Sequence, residues 1–71
     1  MIKISQKAAR VNAELTQQQV ANMMGVQKTT ILNWEKGRFP MKKYQKEQMA
    51  KIYGIDIKYI FFADEVRKNR T

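Results

Sequence analysis

The chain has 71 residues with no cysteine and no histidine, which excludes disulfides, the usual zinc sites and the commonest catalytic side chains. At this length we expect one domain over residues 1–71, with an ordered core of about 5–62 and a polar tail of about 63–71. Fourteen Lys and Arg against six Asp and Glu give a net charge of +8, which favours a polyanionic partner such as a nucleic acid.

The first predicted helix begins after Ser5, whose hydroxyl can cap it, and runs to about Asn12. Its spacing separates an apolar face from a charged one. The expected apolar positions are Ala8, Ala9 and Val11, and the expected solvent positions are Lys7 and Arg10.

A capping box predicts where the second helix begins. In this motif the Thr16 hydroxyl accepts the backbone N–H of Gln19, and the Gln19 side chain reaches back to the N–H of Thr16. The helix is expected to run to about Met24. Gly25 follows, and glycine readily adopts the left-handed conformation at which helices commonly end.

A third helix is predicted from about Gln27 to Lys36, because Ile31 and Trp34 are spaced to share one face. Gly37 is expected to end it.

The rest of the chain predicts two more helices. Pro40 is tolerated in a first helical turn, so a fourth helix is expected over about Met41–Tyr53, with Gly54 at its end. Asp56 can cap a fifth, short helix that continues through Phe62. The sequence therefore predicts an all-α fold of five helices.

Residues 17–36 have the pattern of two helices packed at a sharp angle around a short turn. Their close approach needs a small side chain, which Ala21 provides, and the turn needs a residue that accepts positive φ, which Gly25 does. The five inward positions are all apolar: Val20, Met24, Val26, Ile31 and Trp34.

This pattern resembles the helix-turn-helix of the lambda and 434 repressor and Cro family, the xenobiotic-response-element-like regulators, and the opening Lys7-Ala-Ala-Arg-Val-Asn is similar to that of phage and prophage members. The resemblance covers about residues 5–62. It implies a compact lambda-repressor-like domain with the helix-turn-helix at the second and third helices. The stretches that carry it are Leu15-Thr-Gln-Gln-Gln-Val-Ala, Met24-Gly-Val, Ile31-Leu-Asn-Trp-Glu-Lys-Gly and Tyr53-Gly-Ile.

The resemblance implies that the third helix enters the DNA major groove. Lysine can donate to guanine, threonine can contact thymine and asparagine can pair with adenine. For Lys28 and Asn33 the alternative is an ordinary solvated face. Gln27 departs from the Ser or Thr that the family often has at this cap, so a weaker cap is expected. The expected base contacts are Gln27, Lys28, Thr29 and Asn33.

Phosphate contacts are expected on either side of the reading helix. Gln17 lies at the start of the second helix, where free N–H groups favour an anion and where the family uses a glutamine. Glu35 is expected to form an ion pair with a nearby Lys or Arg. The remaining expected phosphate contacts, each with an ordinary surface position as its alternative, are Thr30, Lys36, Arg38, Lys42 and Lys43.

The aromatic residues have two interpretations. Those at helical core spacing could stack on unpaired bases, but such residues usually belong to the core. Phe61 and Phe62 cannot both face one core from the same short helix. We therefore expect a homodimer, formed or completed on DNA, with an interface of Ile60, Phe61 and Phe62. The expected core aromatics are Trp34, Tyr44, Tyr53 and Tyr59.

Taken together, these features predict a cytoplasmic, sequence-specific regulator of transcription, a repressor or Cro-like protein, that binds a double-stranded DNA operator. No stretch approaches the roughly 18 apolar residues of a membrane span, so no membrane contact is expected. We expect no enzyme activity, no metal and no cofactor. The alternative is a protein-interaction module of the same fold, such as an antitoxin or developmental regulator, and a protein antirepressor is a further expected kind of partner.

Overall fold

The computed structural model describes residues 2–65. Its elements, in chain order, are β1 (Ile4–Ser5), α1 (Gln6–Asn12), α2 (Gln17–Met24), α3 (Lys28–Glu35), α4 (Lys43–Tyr53), a 3₁₀ turn (Ile57–Tyr59) and β2 (Ile60–Phe61). None of the helices within residues 2–65 has the length and apolar character needed to cross a membrane.

The first two helices begin at the predicted caps. The Ser5 hydroxyl accepts the N–H of Ala8 at 3.0 Å. The Thr16 hydroxyl accepts the N–H of Gln19 at 3.1 Å, and Gln19 Oε1 accepts the N–H of Thr16 at 2.8 Å. Both helix starts are therefore fixed by short-range hydrogen bonds, which is why the sequence alone predicts them.

The turn between α2 and α3 also has the predicted geometry. Gly25 has φ of +69°, and the N–H of Val26 donates to the carbonyl of Ala21 at 3.0 Å. Gln27 precedes α3 and makes no side-chain cap hydrogen bond, as expected for a glutamine at this position. The helix is one residue shorter at each end than predicted.

The fourth helix begins at Lys43 instead of Met41. The N–H of Met41 is bound by the buried carboxylate of Asp64 at 2.9 Å, and that of Lys42 by Gln45 Oε1 at 2.9 Å. These partners hold the two residues outside the helix.

The prediction of a fifth helix through Phe62 is wrong. Asp56 caps a single 3₁₀ turn, and the chain then forms β2, which pairs in parallel with β1 so that Ile4 lies opposite Ile60. Neighbouring side chains on a strand point to opposite faces. As a result Ile60 and Phe62 are both buried and Phe61 lies outside, an arrangement that one turn of helix would not allow.

The core lies where α1, α2, α3, α4 and β2 converge. The predicted inward positions of the helix-turn-helix are buried or pack against this core. Four positions differ from the prediction: Val11, Tyr44 and Tyr59 are exposed, and Arg10 is buried. Asp64, which was expected in the polar tail, is only 4% exposed. Residues 66–71 of that expected tail lie outside the described residues. The buried apolar residues are Ala9, Val20, Ala21, Ile31, Trp34, Met41, Met49, Ala50, Tyr53, Ile60 and Phe62.

Candidate nucleic-acid interface

The outer face of α3 is the candidate reading surface. Ile31 and Trp34 bury the inner face of the helix, so the side chains on its other side are left to solvent. Of the four expected base contacts, Gln27, Lys28 and Thr29 are exposed at the beginning of the helix. Asn33 is half-buried about one turn further along.

Close packing of α2 against α3 fixes the position of this face. Ala21, Val20 and Ile31 are fully buried where the two helices meet. The left-handed Gly25 reverses the chain within a short turn, and the half-buried Val26 follows it into the core. The backbone of the reading helix is thus held by apolar contacts that its outer side chains do not share.

A buried ion pair connects α3 to α1. Arg10 Nε lies 2.7 Å from Glu35 Oε2, and Arg10 Nη1 donates to the carbonyl of Leu15 at 2.9 Å. Both charged side chains are almost excluded from solvent, with side-chain exposures of 11% and 6%. The predicted ion pair of Glu35 is confirmed, but the prediction that Arg10 faces solvent is wrong, because the guanidinium neutralises the buried carboxylate.

Gln17 joins the same network. Its Nε2 donates to Glu35 Oε1 at 3.1 Å, so the side chain is oriented by α3 and only half-buried. An amide nitrogen carries two protons, which leaves a second donor for another acceptor. Gln17 lines one surface cleft together with Lys28 and Lys7. Two predicted contact residues, Gln17 and Lys28, therefore share one polar, basic depression.

The loop between α3 and α4 carries the predicted cluster of cations. We call Lys36, Arg38, Lys42 and Lys43 the basic loop; all four are exposed. The loop folds back on α3, since the N–H of Arg38 donates to the carbonyl of Asn33 at 2.9 Å and its Nη1 lies 3.4 Å from Asn33 Oδ1. Thr30, the remaining expected phosphate contact, is half-buried on α3.

Tyr53 is a core residue of α4 with its hydroxyl buried. That hydroxyl has no hydrogen-bond partner in the described part of the chain. Burial, with a smaller contribution from the nearby negative charge of Glu35, raises the pKa of Tyr53 well above its ordinary value, while Arg10 opposes the shift. Tyr53 therefore stays neutral and belongs to the core, as its spacing predicted.

Of the three residues expected at the dimer interface, only Phe61 is exposed. Ile60 and Phe62 are almost fully buried in the core of their own chain, so the expectation that they are exposed is wrong. Phe61 is 38% exposed, and Tyr59 beside it is exposed to the same degree.

Two buried polar residues were not among the predicted site residues. Gln6 is 2% exposed and Asp64 is 4% exposed, and both contact Met41, which lies between Arg38 and Lys42 of the basic loop. No local pattern marks either of them, because their partners lie far away in sequence.

Comparison with known proteins agrees with this geometry. Residues 7–61 match a family model described as a helix-turn-helix domain. The chain is 46% identical over 48 residues to the cryptic phage CTXphi transcriptional repressor RstR of Vibrio cholerae. That match covers 68% of this chain and 43% of the relative, so the chain spans less than half the length of the relative it matches. No solved structure matches the chain significantly.

Proposed function

The chain belongs to the helix-turn-helix domain family, and on this basis we propose that it is a sequence-specific, DNA-binding regulator of transcription. The observation that carries the proposal is the outer face of α3, where Gln27, Lys28 and Thr29 are exposed at the beginning of a helix whose inner face is locked into the core. Helices of this motif insert that end into the major groove.

Each exposed side chain on this face has a chemistry suited to a base edge. Lys28 can donate to the O6 and N7 atoms of guanine, and Thr29 offers a methyl group to thymine. Because Asn33 Oδ1 lies within reach of Arg38, its amide nitrogen is the group left to face the groove, where it would donate to a base acceptor. Gln27 would add a further amide at the entry of the helix.

Phosphate contacts would come from both flanks of α3. Gln17 lies beside Lys28 on one flank, and the basic loop, whose Arg38 contacts Asn33, lies on the other. Thr30 would add a contact from α3 itself. Contacts of this kind position the protein without reading sequence. If about five phosphates are neutralised per subunit, the logarithm of the binding constant falls with the logarithm of the salt concentration at a slope of roughly −4 to −5.

We also propose that two copies bind a palindromic site, because one reading helix contacts too few base pairs to select a site in a genome. Their reading helices would lie about 34 Å, or about 10 base pairs, apart. Phe61 and Tyr59 form the candidate contact, since both keep exposed aromatic surface at the end of the domain. The stoichiometry on an operator, measured with Phe61→Ser, tests this; one subunit per site with unchanged affinity would exclude it.

We propose that the chain represses transcription, because the relative is described as a transcriptional repressor. A protein bound in the major groove of a promoter can exclude polymerase without any catalytic step, and this is the mode of action we propose.

Selection of bound sites from random duplex DNA tests the proposed function directly. The proposal expects enrichment of one short motif, in two inverted copies if the dimer is right. Enrichment of no motif, together with no binding to duplex DNA at low salt, would contradict it and favour a protein-interaction module.

A further inference from the structure

Asp64 is a buried carboxylate placed directly behind the basic loop. Its Oδ2 accepts the N–H of Met41 at 2.9 Å, and its Oδ1 lies 3.1 Å from Lys46 Nζ. Burying a charge is costly unless it is paired and hydrogen-bonded. The contacts around Met41 indicate what the buried Asp64 carboxylate does.

Residues 60–65, here called the C-terminal strap, form the surface on which the basic loop rests. Ile60 pairs with β1, and the N–H of Ala63 donates to Oε1 of the buried Gln6 at 2.9 Å. A Cβ added at Gly37, in the basic loop segment, would stand 3.0 Å from the carbonyl oxygen of Ala63. The strap and the loop are therefore in backbone contact.

Only two residues between positions 36 and 43 are buried, and both face this strap. Gly37 lies against Ala63, while the N–H of Met41 binds Asp64. The sulfur of Met41 accepts from Gln6 Nε2 at 3.3 Å, and the same Gln6 holds Ala63. Among the cations of the basic loop, Arg38 lies between these two fixed points, Lys36 directly precedes the first, and Lys42 and Lys43 directly follow the second.

We propose that Asp64 is a positioning residue for DNA binding: it fixes Met41, and through it sets where Lys42 and Lys43 meet the phosphate backbone. This inference rests on the proposed function and deepens it. Because Asp64 is negative, the effect of charge and the effect of the anchor on DNA binding have opposite signs. Removing a negative charge near a DNA-binding loop should strengthen binding if charge alone matters, whereas loss of the anchor should weaken it.

The test compares Asp64→Ala with Glu47→Gln, which removes a carboxylate from an exposed position of α4 and thus raises the net charge of +8 by the same amount. Alanine is chosen because the amide oxygen of an asparagine could still accept the N–H of Met41. Affinity for the selected site and for a scrambled duplex is measured over a range of salt concentrations, well below the melting temperature of each variant. Asp64→Ala should bind both duplexes on the order of tenfold more weakly, with a salt slope shallower by about one. Glu47→Gln should bind as well as the wild type or slightly better.

Gly37→Ala gives a second variant that leaves the charge unchanged and disturbs the same contact from the loop side. It should weaken binding to both duplexes in the same way, which keeps the inference testable if Asp64→Ala does not fold. Folded variants that bind as tightly as Glu47→Gln, or that lose affinity only on the selected site, would overturn the positioning role. Absence of duplex binding by the wild type would instead remove the proposed function, and the inference with it.

Discussion

Two buried polar networks support the two sides of the candidate interface, and they do so differently. On the reading side, Arg10 and Glu35 join α1 to α3, with side-chain exposures of 11% and 6%. On the other side, called the clamp side because the basic loop is expected to hold phosphates, Asp64 joins the C-terminal strap to the basic loop. Its partner Lys46 keeps 16% of its side chain exposed. The reading side is thus a contact between two helices, and the clamp side is a contact between two irregular segments.

This difference teaches where each network should show its effect. A buried pair between helices contributes to the free energy of unfolding, since removing one partner leaves a charge without compensation. A contact that positions a surface loop should mainly change the affinity of that loop for its ligand.

Glu35→Gln should have the largest effect on stability. The substitution leaves the Arg10 guanidinium buried without a carboxylate, which costs about 3–5 kcal/mol in comparable sites. Urea unfolding of the variant, compared with the exposed control Glu47→Gln, measures the difference. If both variants unfold at the same urea concentration, the reading-side pair does not stabilise the domain.

Substitutions in the turn of the helix-turn-helix should destabilise the domain less than Glu35→Gln does. Its two small residues, Ala21 and Gly25, should lose stability for different reasons. Ala21→Val overpacks a fully buried site, which costs about 1–3 kcal/mol. Gly25→Ala meets no atom within 4 Å, so its cost comes only from the positive φ of +69°, about 1–2 kcal/mol. Calorimetric melting of the two variants checks this. An Ala21→Val protein that melts as the wild type does would show that side-chain crowding does not limit the Ala21 position.

The smallest effect is expected at Tyr53. Its buried hydroxyl lacks a hydrogen-bond partner, so Tyr53→Phe should change stability little at pH 7. The pKa of Tyr53 is raised in the folded protein, so the folded chain keeps a proton that the unfolded chain loses. The stability that this proton contributes is complete below a pH of about 10 and is lost as the pH rises further.

Urea unfolding between about pH 9 and pH 11 measures this loss, which should be smaller in Tyr53→Phe than in the wild type. The matched control is Tyr44→Phe, at a position that is 62% exposed, and it should behave as the wild type does. Equal alkaline loss in both variants would show that Tyr53 is not the group responsible.

The helix-turn-helix was predictable because its signals are local. The capping box of Thr16, the small Ala21 and the left-handed Gly25 each act within a few residues of themselves. The same holds for the exposed Gln27, Lys28 and Thr29, whose orientation follows from the buried face of the same helix.

An ion pair of Glu35 was predictable, but its partner Arg10 and the contact of Asp64 were not, because those partners are distant in sequence. Arg10 and Glu35 are 25 positions apart, and Asp64 and Met41 are 23 apart. A charged residue with a distant partner has the same local pattern as one that faces water. The segment from Ile60 to Phe62 is likewise too short for its apolar run to distinguish helix from strand.

The central claim is that α3 reads bases while the basic loop holds phosphates, and the ratio of affinities for the selected site and a scrambled duplex tests it most directly. Thr29→Ala and Asn33→Ala should lower that ratio, because each removes a contact to a particular base pair. The expected loss corresponds to about 1–3 kcal/mol in the difference between the two binding free energies. Lys42→Ala should weaken binding to both duplexes alike and leave the ratio unchanged. An equal loss on both duplexes for the two α3 variants, or a changed ratio for Lys42→Ala alone, would contradict the account.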